Sequence, residues 1–274
     1  MIGKVGLEIA GQVLKCRAWG HQAAGIFGGK PVNPVNAVPG GMSKGLNRAE
    51  RERLEEICRF MVDFGQFTLK LLHDVVLSNK EYVDLIFHGP YYHETYSMGL
   101  VDEKNRTNFY DGKVRVVDFE GNEICKYAPE EYAQNVAEHV EPWTYLKFPY
   151  YKPLGYPGGM YRVGPLARLN VACHCGTPLA DRELAEFRQL GRGAVLSAFH
   201  DHYARLIEIL YCVERIEELL AHPDLLTPQV LAFARRNRYE GVGCCEAPRG
   251  TLFHHYKVKQ GGLISWANLI IATG

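Results

Sequence analysis

The chain has 274 residues, with 31 lysines and arginines against 31 aspartates and glutamates, and is 47% hydrophobic and 23% charged. A neutral balance argues against a nucleic-acid or anionic-membrane binder, which carries a basic excess, and this composition excludes dominant disorder. The length supports one large or two modest domains with a sizeable core that needs no disulfide or metal staple.

The first residues contain no apolar stretch followed by a small-residue cleavage site, so they do not read as a signal peptide. No window approaches about 18 consecutive apolar residues, so no membrane span is expected. The eight cysteines do not have the spacings of a secreted disulfide framework. They read as reduced thiols, and the expected compartment is the cytoplasm.

Residues 4–26 place Val5, Ile9, Val13, Ala18 and Ala23 at helical spacing, and Gly28-Gly29 ends the run. The Pro- and Gly-rich stretch GGKPVNPVNAVPGGMSKG excludes regular helix and predicts a long loop that braces other elements or serves function. Residues 47–76 read as a long helix, with Asn47 as cap and Leu54, Ile57, Phe60, Met61, Phe64 and Leu69 as its apolar face. Between residues 105 and 127 the period changes to two around Asp111-Gly112 and Gly121-Asn122, which predicts a small antiparallel hairpin or meander. Pro129 opens a short helix, and residues 143–170 form an aromatic, Pro- and Gly-rich crossover. Residues 178–191 and about 194–221 read as helices. TLFHHYKV and LISWANLIIAT flank a turn at residues 259–262 and predict a closing hairpin. No repeat, low-complexity tract or interdomain linker stands out. The expected fold is α+β, a mainly helical core with small antiparallel β hairpins, as a single unit over residues 1–274.

Two motifs are dense: YRVGPLARLN at residues 161–170 and GCCEAPRGTLFHHY at residues 243–256. Pro248 fixes φ and Gly250 permits close backbone approach, so Arg249 sits on a stiff turn just before a strand. That is a good place to aim a guanidinium at an anionic or strongly polar group. The plainer alternative pairs Arg249 with a core carboxylate such as Glu246. His254 and His255, adjacent on a strand, point to opposite faces and read as packing or supporting groups. Cys173 and Cys175 lack the second pair that structural zinc sites use. His200 and His202, with Asp201, read as capping or surface groups, and Arg162 and Arg168 as braces of the core. No G-x-G-x-x-G follows a strand, so no dinucleotide site is visible.

The run EAPRGTLFHHY, the following hairpin and ANLIIAT resemble the large, catalytic subunit of the nickel–iron hydrogenases. WTYLKFPYYKPLGYPGGMYRVGPLARLN and IFGGKPVNPVNAVPGG are similar to its cytoplasmic bidirectional, NAD-linked branch. The resemblance covers essentially the whole chain in one order. It implies reversible oxidation of H2 to protons at a nickel–iron centre carrying cyanide and CO. Electrons would pass through an iron–sulfur small subunit to diaphorase subunits that hold FMN and reduce NAD.

In that family four thiolates, from two C-x-x-C motifs, hold nickel and iron, as a soft site requires. This chain contains no C-x-x-C, so no nickel–iron cysteine ligand is expected in it, and it reads as a middle fragment that is inactive alone. By resemblance, Arg249 with Pro248 matches the canopy over the open side of the centre. Thr273 matches the hydroxyl that hydrogen-bonds a cyanide, and Leu269 the residue whose main-chain carbonyl binds a structural Mg2+ or Fe2+ ion. The alternative is a metal-free, hydrogenase-like structural or interaction module related to respiratory complex subunits.

Overall fold

A computed structural model describes residues 2–233 and 237–273, with side chains from residue 6 onward. In chain order the elements are α1 (Ile2–Gly28), β1 (Ala37–Val38), β2 (Gly41–Met42), α2 (Arg48–Leu72), α3 (Lys80–His88), β3 (Tyr96–Val101), β4 (Lys113–Val117) and β5 (Glu123–Tyr127). They continue with α4 (Tyr132–Asn135), β6 (Val136–Val140), β7 (Lys147–Tyr151), β8 (Tyr161–Arg162), α5 (Pro165–Val171) and α6 (Pro178–Arg188). The last are α7 (His200–Leu220), β9 (Glu240–Ala247), β10 (Gly250–Val258) and β11 (Ile264–Ile270). The α+β class, with long helices and small sheets, is the one the sequence predicts. Among the described residues, no helix is long and apolar enough to cross a membrane.

The chain divides into two compact units, Met1–Leu71 with Ile209–Arg236, and Leu72–Glu208 with Asn237–Gly274. The first unit is helical. Asn47 caps α2 as expected: its Oδ1 accepts from the Glu50 N–H at 2.9 Å while the Glu50 carboxylate accepts from the Asn47 N–H at 3.0 Å. This reciprocal box satisfies two backbone donors that a helix start leaves orphaned. Leu54 and Cys58 of α2 then pack with Val213 and Leu220 of α7, and Ala23, Ile26 and Phe27 of α1 pack against them. The Pro- and Gly-rich loop braces these elements. Asn36, 5% exposed, donates to the carbonyls of Phe27 and Lys44, and the Met42 N–H donates to Val230 O.

The second unit holds a four-stranded sheet in the order β5-β4-β3-β8 and a three-stranded sheet in the order β11-β10-β9. The predicted hairpin between residues 105 and 127 is β4 and β5, paired antiparallel. The predicted closing hairpin is β10 and β11. Met98, Leu100, Val114, Val116, Tyr127, Tyr132, Phe253 and Ile270 form one continuous buried core.

Three differences from the sequence reading have physical causes. β3 is buried along almost its whole length, so it lacks the polar alternation that reveals a strand. β9 becomes a third strand beside the closing hairpin, where the glycines and cysteines of its sequence carry little strand signal. Finally, α7 begins at His200 rather than near residue 194. The Asn170 side chain accepts from the Val195 N–H at 2.9 Å and donates to Val195 O at 3.0 Å. It thereby takes up the backbone groups that a helix would have paired.

Candidate functional site

The two dense motifs meet. α5 opens after Gly164, whose φ is +96°, with Pro165 at the first helical position, where a missing N–H costs nothing. The second motif folds into the tight β9–β10 turn, with Ala247 opposite Gly250 and Pro248-Arg249 at its tip. Gly250 has φ +136°, and a Cβ there would lie 2.5 Å from Val163 Cβ and 2.6 Å from Gly164 N. A Cβ on Gly164 would come within 2.9 Å of Arg249 O. Only a pair of glycines lets these two backbone segments approach so closely.

Arg168, projecting from α5, ties the turn to the interior. Its Nε and Nη2 donate to the two carboxylate oxygens of Glu208 on α7, at 2.5 and 2.7 Å. Its Nη1 donates to Glu246 Oε2 at 2.9 Å and to Ala247 O at 3.0 Å, and its Nη2 also reaches Pro248 O at 3.2 Å. A guanidinium has five N–H donors in a rigid fork, and these five acceptors occupy them. The Arg168 side chain is 2% exposed and that of Glu246 0%. The other oxygen of Glu246 accepts from the Leu100 N–H at 2.9 Å and from Thr251 Oγ1 at 2.7 Å. Burial would pull the Arg168 pKa down, but pairing with Glu208 and Glu246 outweighs it and the guanidinium stays charged. Burial pushes the Glu208 carboxyl up, with Arg168 pulling the other way without cancelling it.

Arg168 is therefore the core brace expected of it, as is Arg162, which donates to the carbonyls of Leu196 and His93. Glu246 pairs with Arg168. Pro248 and Arg249 are exposed at the tip of the turn. Leu269 lies on β11 opposite His254 and is 42% exposed. Thr273 follows β11 and is exposed. Since Ile270 stands opposite Phe253, three residues from Gly250, the segment after β11 leaves from the sheet end that carries the Pro248-Arg249 turn.

The other sequence candidates separate. His255 is buried between Tyr132 Oη and Glu240 Oε1, each 2.8 Å from a ring nitrogen, while His254 contacts Tyr256 Oη at 2.8 Å. They play the packing roles expected of opposite faces. His202 is exposed, but His200 is not the capping or surface group expected: it is 3% exposed, set against the Phe87 and Phe187 rings. Burial lowers its pKa to about 4. Sequence reasoning missed Glu208, although a lone glutamate inside the apolar run RLIEILY is the kind of residue that must find a buried partner.

The eight cysteines are all free. Among the described residues no cluster of three or more metal-ligating donors includes one of them. Burial pushes the Cys58 thiol up to about 11 and the Cys175 thiol up to about 12, away from the thiolate form that binds metal. Cys244 and Cys245, neighbours on β9, point to opposite faces.

Comparison with known proteins shows the family. The pattern of a family described as nickel-dependent hydrogenase matches residues 12–273. An iron-sulfur subunit of the F420-non-reducing hydrogenase of Archaeoglobus profundus is 39% identical, over 100% of this chain and 58% of its own length. The beta subunit of the NAD-reducing hydrogenase HoxS of Cupriavidus necator is 36% identical, over 97% of this chain and 56% of its own. A crystal structure of an NAD+-reducing [NiFe]-hydrogenase in the H2-reduced state superimposes with a TM-score of 0.88 at 35% identity, covering 99% of this chain and 60% of that one. The chain thus spans less than two thirds of the length of these relatives.

Proposed function

The chain belongs to the nickel-dependent hydrogenase family, and from that premise we propose that it is part of the catalytic large subunit of an NAD-linked nickel–iron hydrogenase. The overall reaction would be H2 + NAD+ → NADH + H+. The observation that carries the reading is the Arg168 fork. It grips the carbonyls of Ala247 and Pro248 from inside and leaves Arg249 free at the tip of a turn with no slack.

A guanidinium carried on a backbone held this firmly is suited to stabilise charge at a reacting centre. Arg249 and Pro248 are assigned to the canopy over that centre. Thr273 is assigned to a cyanide ligand, and the Leu269 carbonyl to a structural Mg2+ or Fe2+ ion. The family's centre takes four thiolates, and the cysteines of this chain do not fit it, being scattered and, among the described residues, outside any donor cluster. The thiolates must come from outside these 274 residues.

The match over residues 12–273 in one order supports treating the whole chain as one large-subunit domain. The proposed partners are diaphorase subunits carrying FMN and NAD, together with an iron–sulfur small subunit, in the cytoplasm. The NAD link rests on the C. necator relative and on the superimposed NAD+-reducing enzyme, since other relatives of similar identity are named F420-non-reducing.

The test is to purify the complex through a tag on this chain and supply H2. Reduction of both NAD+ and a viologen dye supports the proposal in full. Dye reduction without NAD+ reduction removes the NAD link, and no H2-dependent reduction of either removes the hydrogenase reading.

A further inference from the structure

A second group of ligating side chains converges in the same unit. His73 opens a π-helical turn (His73–Leu77) that follows α2, a backbone irregularity often found at functional sites. Its Nε2 lies 3.5 Å from Glu183 Oε2 and 3.7 Å from Glu186 Oε2. One donor atom from each of the three residues falls within 4.8 Å of the others. Glu183 and Glu186 are three apart on α6 and so share a face. Tyr203 of α7, 2% exposed, donates its hydroxyl to Glu183 Oε2 at 2.9 Å and stands 3.1 Å from His73 Nε2.

We propose that His73, Glu183 and Glu186 form a binding site for one divalent cation of the zinc class, with water completing the coordination. One imidazole and two carboxylates balance a doubly charged ion. Zinc ligands at 2.0–2.1 Å in tetrahedral array stand about 3.3–3.4 Å apart, so the two spacings to His73, 3.5 and 3.7 Å, need close by only a few tenths of an ångström, and the two carboxylates, already within 4.8 Å of each other, draw together by side-chain rotation. Calcium requires six to eight oxygens and magnesium a shell of waters, which a nitrogen and two carboxylates do not favour. The Tyr203 hydroxyl supplies the hydrogen bond that orients a ligating carboxylate. The partly exposed side chains of His73 (33%) and Glu186 (54%) leave the ion a path in and room for its water.

The experiment titrates the reduced, metal-free full chain with Co2+, followed by Zn2+ in competition. One equivalent of Co2+ is expected, with the visible absorption of a four-coordinate nitrogen–oxygen site and no thiolate charge-transfer band, displaced by one equivalent of Zn2+. Glu186→Gln, at an exposed position, should weaken binding at least about tenfold, as should His73→Gln. Tyr203→Phe should weaken it by about 10- to 100-fold while keeping the same absorption. Circular dichroism identifies any variant that fails to fold, and Glu186→Gln, the mildest change, then decides alone. Absence of a stoichiometric site, thiolate absorption, or an affinity untouched by Glu186→Gln overturns the proposal.

Discussion

The Nη2 of Arg168 donates to the main-chain oxygen of Pro248 at 3.2 Å, while the same nitrogen holds Glu208 Oε2 at 2.7 Å. One buried side chain thus ties the helix α5, Glu208 in the first half of α7 and the exposed turn to one another. The backbone that leads into Arg249 is held by a residue 81 positions earlier in the chain.

Arg168→Met should be among the most damaging single changes in this unit. It leaves Glu208 and Glu246 buried without a counter-charge, and removing one member of a buried ion pair costs about 3–5 kcal/mol. Glu208→Gln should cost less than half as much, because Arg168 keeps Glu246 and one charge of each sign remains. Urea denaturation of both variants checks the order. A larger loss for Glu208→Gln would mean that Arg168 is held mainly by Glu208.

Gly250→Ala should destabilise by at least about 2 kcal/mol, from a left-handed φ that L side chains rarely adopt and from overlap with Val163 Cβ and Gly164 N. Adding Val163→Ala should recover only part of the loss, since it removes the Cγ2 that would lie 2.4 Å away, while the overlaps with the Cβ of residue 163 and with Gly164 N stay. Full recovery in the double variant would place the strain in the Val163 side chain alone.

His200 predicts an acid-sensitive stability. Burial holds its native pKa at about 4, against about 6.5 for an unperturbed histidine. The folded state therefore favours the neutral ring. The contribution is fully present above about pH 6.5 and drains away as pH falls towards 4, by at most about 3 kcal/mol. In His200→Gln the stability curve should be flatter across that window. An unchanged slope would show that other groups carry the acid response.

Much of this was legible where local chemistry decides local structure. The Asn47 cap, the alternation that makes β4 and β5, and the stiff turn that carries Arg249 all act over a few residues, so the sequence displays them. Illegible features depend on distant partners. Asn170 keeps residues 194–199 out of the helix by taking up the Val195 backbone. β3 loses its alternation because both faces are covered. Glu208 is stable only because Arg168 lies 40 positions away in sequence and 2.5 Å away in space. The canopy role proposed for Arg249 rests on the family resemblance of its motif. What the structure adds is its support: the alternative partner Glu246 is already engaged by Arg168, Leu100 and Thr251.

Arg249→Lys, made in the complete large subunit, is the sharpest trial of that assignment. Lysine keeps the charge but replaces a planar fork by a compact ammonium on a flexible stem. Arg249 is exposed and makes none of the contacts that hold the turn, so the fold and the nickel content should be unchanged. If the guanidinium stands over the reacting centre, losing its geometry should cut H2 turnover by roughly 100-fold, the scale of removing one preorganised donor. A lysine variant with wild-type turnover and full nickel would take Arg249 out of the chemistry. One with lost turnover and lost nickel would assign the residue to assembly of the centre instead. Only lost turnover at unchanged nickel content supports a role beside the reacting gas.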